Sequence, residues 1–129
     1  PYKKTNQSER DPKFNISHGA TSRQAARFYG LLAQNLLVTP FWSERIRNLM
    51  SPPRMFHKFV GGLHEREGVV FEARKSGSWR SYHADSALIK HGNIRYIITA
   101  LADHPSGEEM MRAISPVVDD IMMRGDHRP

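Results

Sequence analysis

The spacing of the apolar residues changes twice along this chain, and the change limits the kinds of fold open to it. Ala25, Phe28, Tyr29, Leu32 and Leu36 recur three or four positions apart, with Arg23, Arg27 and Gln34 largely on the other side. That is the spacing of an amphipathic helix. From Val69 to Lys75 the pattern alternates instead, Val69, Phe71 and Ala73 against Val70, Glu72 and Arg74, as in a strand with one buried face. Met110, Met111, Ile114, Val117, Val118, Ile121 and Met122 then return to helical spacing. The order is helix, helix, three strands, helix, an α+β arrangement in which an antiparallel sheet is flanked by helices.

Local signals divide the chain further. Residues 1–20 are polar, with Asp11-Pro12 and His18-Gly19 as breakers and Tyr2, Phe14 and Ile16 as apolar anchors, which predicts a lead-in loop. Residues 21–63 form a helical segment. Thr21-Ser22-Arg23-Gln24 fits a capping box and predicts a helix of about four turns. Thr39-Pro40 offers an N-cap and a first-turn proline to a second helix with Trp42, Ile46, Leu49 and Met50 as its buried stripe. Ser51-Pro52-Pro53 ends it, and Met55, Phe56, Phe59, Val60 and Leu63 predict a short helical piece stopped by Gly61-Gly62. A three-strand meander covers 69–102. Its first strand ends at Ser76-Gly77-Ser78, and its other two, Ser81–Lys90 and Ile94–Ala102, join through His91-Gly92-Asn93. A C-terminal helix over 106–123 opens on a second capping box, Ser106-Gly107-Glu108-Glu109, and is interrupted at Pro116.

At 129 residues the chain is one domain or part of one. One long helix on a three-strand sheet covers a single face and leaves Tyr96 and Ile98 at an open edge, so something else should pair there. The absence of cysteine excludes disulfides, thiol catalysis and cysteine-type zinc sites. No apolar run approaches the roughly 20 residues of a membrane span. A formal charge of +6 favours anionic partners only if it is clustered. Arg74, Lys75 and Arg80 with Trp79 come nearest to a nucleic-acid patch, but the other basic residues are dispersed, so a solvated surface is expected. The seven histidines, His57, His64 and His83 among them, lack metal-ligand spacing, and His64-Glu65-Arg66-Glu67 lacks the second histidine of a zinc helix. No metal site is expected. The methionines at 110, 111, 122 and 123 read as core fillers. Asn15-Ile16-Ser17 is discounted as a chance glycosylation sequon.

Lys75-Ser76-Gly77 is the candidate for chemistry, since a lysine beside a hydroxyl and an open glycine can bind a carboxylate; alone, the triplet also fits a polar hairpin. Its setting narrows the choice. Lys75-Ser76-Gly77-Ser78-Trp79, Ala84-Asp85-Ser86-Ala87-Leu88-Ile89, Arg95-Tyr96-Ile97-Ile98-Thr99-Ala100-Leu101 and Gly107-Glu108-Glu109 follow one another in order. This series resembles the C-terminal half of the class A β-lactamase-like serine hydrolases. His18-Gly19-Ala20-Thr21, Ala25-Ala26-Arg27-Phe28-Tyr29 and His57-Lys58-Phe59-Val60 resemble its poorly characterised serine hydrolase members, so the likeness runs from about Asp11 to Met122.

The resemblance implies a β-lactamase/transpeptidase-like fold, here partial, with the N-terminal strands, a helix and most of the helical domain absent. The chain would then be the C-terminal portion of one catalytic domain, partnered by the N-terminal half of the same protein. It implies that Lys75, Ser76 and Gly77 bind the substrate carboxylate, and that Ser78 lends a backbone N–H to the oxyanion hole. The family's nucleophile lies in a Ser-x-x-Lys motif, which these residues lack, as they lack a Ser-Asp-Asn element. Glu9 does not match the family's deacylating glutamate. The implied substrate is a small-molecule amide or ester, with no cofactor, no nucleic acid and no membrane span, in a periplasmic or secreted protein. Two other classes stay open: an inert binding or structural module that kept the fold, and a basic nucleic-acid binder resting on the +6 charge alone.

Overall fold

A computed structural model describes residues 20–125. Most of the lead-in, with Glu9 and the Asn15-Ile16-Ser17 sequon, lies outside the described residues. The elements are α1 (Ser22–Ala33), α2 (Pro40–Met50), α3 (Lys58–Leu63), β1 (Val69–Trp79), β2 (Tyr82–His91), β3 (Ile94–Asp103) and α4 (Gly107–Met123). The strands form one antiparallel sheet in the order β1-β2-β3. Two-residue connections close both hairpins, Arg80-Ser81 between the paired Trp79 and Tyr82, and Gly92-Asn93 between His91 and Ile94. Arg80 and Gly92 take φ of +55° and +57°, the left-handed conformation that such tight turns require.

Both faces of the sheet are covered, which corrects the expectation of a single covered face. Phe59, Val60 and Leu63 of α3 and Met111 of α4 pack on Phe71, Ala87, Ile89, Tyr96 and Ile98. On the other face Tyr29 and Leu32 of α1 meet Ala73 and Leu88, with Ile46 and Met50 of α2 beside them. Tyr96 and Ile98 are therefore core residues. Alternation in β1 also fails at one point, because a bulge between Phe71 and Ala73 sends these two to opposite faces. Beyond it Arg74 turns inward. β1 then continues through Lys75, Ser76 and Gly77 to Trp79 instead of ending there, since each of these residues pairs with one in β2.

Capping was legible at two helices and misread at a third. Thr21 and Gln24 form the expected reciprocal box on α1, and the Thr39 hydroxyl accepts from the Trp42 N–H at 3.3 Å above Pro40. The Ser106 side chain makes no cap bond on α4. α1 is shorter than four turns, stopping at Ala33 before Asn35 turns left-handed, and Leu36 is exposed. α2 buries Ser43 and leaves Trp42 and Leu49 exposed. Gly61 and Gly62 do not stop α3 but lie inside it, because α4 passes too close for a side chain: a Cβ on Gly62 would stand 2.3 Å from the Arg112 carbonyl oxygen.

Pro116 does not interrupt α4. A proline deprives the carbonyl four residues earlier of its helical donor, and here that carbonyl, of Arg112, accepts from the Ser115 hydroxyl at 3.1 Å. The buried side of α4 is Met111, Ser115 and Asp119. Met110, Ile114, Val117 and Ile121, expected in the core, form an exposed apolar row on its other side.

Asp119 ties α4 to the sheet. Tyr96 donates to it at 2.8 Å, Arg66 at 2.8 Å, and His91 Nδ1 lies 3.0 Å away. Burial alone would push this carboxyl up, but the three hydrogen bonds outweigh burial and hold it below the ordinary 3.8. A depressed carboxylate stabilises the fold above its unfolded value and loses that contribution as pH falls through the folded one. Asp119→Asn should therefore cost about 2–3 kcal/mol at neutral pH, the size of charge-assisted hydrogen bonds. Urea denaturation should show the gap from wild type constant above about pH 4 and closing at more acid pH.

Candidate active site

The outer half of β1 is held from beneath by a buried ion pair. Asp85 on β2 has no solvent exposure and accepts Arg74 Nε at 2.9 Å and Nη2 at 2.8 Å, a two-pronged geometry that suits a planar guanidinium. The same carboxylate accepts the Phe59 N–H at 3.2 Å, capping α3 from the sheet face on which that helix packs, and the Ser86 N–H at 3.0 Å. Arg74 also donates to the carbonyls of Met55 and His57. β1, β2, α3 and the loop before it are thus fixed together.

Lys75, Ser76 and Gly77, the residues singled out by sequence, line one cavity of about 780 Å³ with Phe28, Tyr29 and Ala84, within the size range of small-molecule sites. Ser78 lines an adjoining cavity of about 620 Å³, and Gly77, Ala84 and Leu101, opposite one another on the three strands, belong to both. No described residue lies within 4 Å of where a Gly77 Cβ would be, which leaves room for a ligand beside that stretch of backbone. Among the described residues Lys75 reaches only the neighbouring Ser76 carbonyl. Burial, and after it the charge of Asp85, push the Tyr29 hydroxyl well above its ordinary range. Tyr29 remains a neutral donor to the Ser86 carbonyl at 2.8 Å.

Strand pairing determines where the backbone groups point. Trp79 and Tyr82 close the two-residue hairpin, so they exchange ladder bonds, and the alternate pairs Gly77↔Ala84 and Lys75↔Ser86 do the same. Ser78 falls between them. Its N–H points away from β2, toward the edge of β1 that no described strand covers. An outward N–H, the Ser76 hydroxyl and a lysine around connected cavities offer several donors to a carboxylate or to a carbonyl oxygen gaining charge.

Three site residues escaped the sequence reading. The Ser76 hydroxyl lies 3.3 Å from His57 Nε2, and His57 Nδ1 lies 3.3 Å from Glu108 Oε2, so β1, the loop before α3 and the first turn of α4 share one polar chain. Lys58 is fully buried and donates from Nζ to the Gly77 carbonyl at 2.6 Å, the Ser78 hydroxyl at 2.8 Å and the Ala84 carbonyl at 3.1 Å. His57 and Lys58 stand 19 positions before Ser76 and Gly77, the residues of β1 that they meet, and no spacing rule connects a loop to a strand residue that far on. The one signal was their place in the block His57-Lys58-Phe59-Val60.

Comparison with known proteins assigns the architecture. The sequence matches the profile of the beta-lactamase enzyme family over residues 2–123. The chain belongs to that family. Two solved structures share its β-lactamase-like fold. PBP-A superposes with a TM-score of 0.70 at 17% identity, covering 93% of this chain and 50% of that one. A PBP-A point mutant, captured as an acyl-enzyme complex with penicillin-G, gives 0.67 at 20% identity, covering 79% and 39%. The beta-lactamase family chain thus spans about half the length of the PBP-A structure, or less. No match is found among curated proteins. No helix of the described residues is long and apolar enough to cross a membrane.

Asp85→Asn keeps the shape of the site's support and removes its charge, stranding Arg74 in the interior. Breaking a buried pair in this way costs about 3–5 kcal/mol. The expected result is a lower denaturation midpoint with an unchanged m-value, measured by urea titration.

Proposed function

We propose that residues 1–129 are the C-terminal portion of a single β-lactamase-like catalytic domain, a serine acyl hydrolase working through an acyl-enzyme whose nucleophile lies outside these residues. The observation that carries this reading is the outward Ser78 N–H at the open edge of β1, beside Lys75, Ser76 and the uncovered Gly77. The family membership supports it, and so does the absence of Ser-x-x-Lys from all 129 residues.

In this reading Lys75 and Ser76 hold the carboxylate of a small-molecule amide or ester, and Gly77 leaves room for it. The serine hydroxyl of the other half attacks the substrate carbonyl and forms the acyl C–O bond. The carbonyl oxygen takes up negative charge, which the Ser78 N–H stabilises. As the intermediate collapses, the amine or alkoxide leaves with a proton, and water later cleaves the ester. The N-terminal half seats on the apolar row Met110, Ile114, Val117 and Ile121 and along the free sheet edge. The whole protein is exported to the periplasm or beyond.

Intact-mass spectrometry of the full-length protein after incubation with a reactive β-lactam tests this. A single covalent adduct is expected. Lys75→Ala, at an exposed position, should slow its formation by about ten- to a hundredfold, the worth of one charge-assisted hydrogen bond. Unchanged acylation in that variant overturns the assignment of Lys75. A full-length protein that takes no adduct favours the inert binding or structural module instead.

A further inference from the structure

Lys58 is an unusual residue to find where it is. It opens α3 with φ of +52°, a left-handed backbone that a non-glycine residue adopts only under constraint. The whole residue is shut off from solvent. Burial pushes its ammonium below the ordinary lysine value, against the pull of Asp85 and Glu108 and with the repulsion of Arg74 and Lys75. Burying an ammonium is costly unless its donors are all met, and here three donors meet three acceptors. A methionine would fill the same volume without the cost of desolvating a charge.

The acceptors show what the charge does. Gly77 faces β2 in the ladder, so its carbonyl points inward, where Lys58 Nζ meets it at 2.6 Å and also reaches the Ala84 carbonyl opposite. A trans peptide is planar, so the Ser78 N–H lies in the same plane as the Gly77 carbonyl and points the other way, out of the sheet edge. A cation on the oxygen of an amide draws electron density from its nitrogen and makes the N–H a stronger donor. The bond to the Ser78 hydroxyl, at 2.8 Å, also keeps that oxygen on the α3 side, away from the place an oxyanion would take.

We infer that Lys58 is a positioning residue for the oxyanion hole: it fixes and polarises the Gly77–Ser78 peptide from behind, and delivers its charge to the reacting carbonyl through one amide without touching substrate. The inference rests on the reading of the Ser78 N–H as an oxyanion donor, and goes beyond it by naming what supports that donor.

The test uses full-length protein and the uncharged variant Lys58→Met. Carbonyl-¹³C glycine with ¹⁵N serine reports on the peptide directly: Gly77-Ser78 is the one Gly-Ser step in these 129 residues, and the signal lost in Ser78→Ala identifies it in the full-length protein. The expected result in the variant is an upfield shift of the Gly77 carbonyl resonance. Acylation by a reactive β-lactam should lose about ten- to a hundredfold in its saturating rate, short of or equal to the loss of a whole oxyanion donor, with the half-saturating concentration unchanged. The acyl-ester carbonyl stretch should move to higher frequency. If the variant does not fold, a scalar coupling across the hydrogen bond from Lys58 Nζ to the Gly77 carbonyl in wild type decides, and its absence overturns the inference. An unmoved carbonyl resonance, or a moved one with unchanged acylation, also overturns it. A full-length protein that accepts no acyl group overturns the acyl-transfer reading itself, and with it this role.

Discussion

A carboxylate without solvent contact organises this structure. Asp85 sits in the middle strand, and its two oxygens take both prongs of Arg74 together with the N–H groups of Phe59 and Ser86. Burying that charge is unfavourable unless every lone pair is used, and the demand for partners draws three separate pieces of chain to one point. Arg74 in turn holds the Met55 and His57 carbonyls, so the loop before α3 has little freedom. A six-residue helix such as α3 is too short to be stable by itself. Its N-terminus is capped instead by a residue of the sheet it packs on.

The site inherits its geometry from that tie. His57 and Lys58 follow the clamped loop directly, and the first turn of α3 must bend through a left-handed residue to place its next three side chains, Phe59, Val60 and Leu63 among them, in the core. The result sets an ammonium under the outer half of β1 and an imidazole beside Ser76. Arg74, Ser76 and Ser78 alternate with Lys75 and Gly77, so Arg74 and the two serine hydroxyls meet the supporting residues Asp85, His57 and Lys58 while Lys75 and Gly77 turn to the other side of the strand. A strand that runs on through Ser76-Gly77-Ser78, rather than ending there, suits this task, because paired backbone holds an N–H direction that a strand end would not.

Much of the fold could be read from the chain because its signals are local. Thr21 with Gln24, and Thr39 with Pro40, act within four residues of themselves, and both caps are found. The order of elements and the antiparallel meander follow from a period that changes where β1 begins. The misreadings share a different cause. The bulge after Phe71 inverts the facing of Arg74 and is set by pairing with β2, not by the residues of β1 alone. Gly61 and Gly62 look like a stop signal until α4 is seen lying against them. Lys75, Ser76, Gly77 and Ser78 were legible as a group because they are contiguous. Lys58 was not, since a lysine at the start of a short apolar helix is expected to turn its charge to solvent, and nothing local marks it as buried.

The apolar surface left over has its own logic. α4 divides its side chains between a buried row, Met111, Ser115 and Asp119, and an exposed one, Met110, Ile114, Val117 and Ile121. The buried row is small and polar except for one methionine, and it is held by specific bonds to Phe59, Tyr96, His91 and Arg66. The exposed row is purely aliphatic. A surface helix normally turns its aliphatic stripe to the core; here Val118 and Met122 do pack against it beside Met111, while Met110, Ile114, Val117 and Ile121 stay exposed. The sheet beneath is already enclosed on both faces by α1, α2, α3 and α4. Among the described residues the unmet surface therefore lies on the outer side of the helix layer and at the strand edges, the two places where apolar side chains and unpaired backbone groups are left without partners.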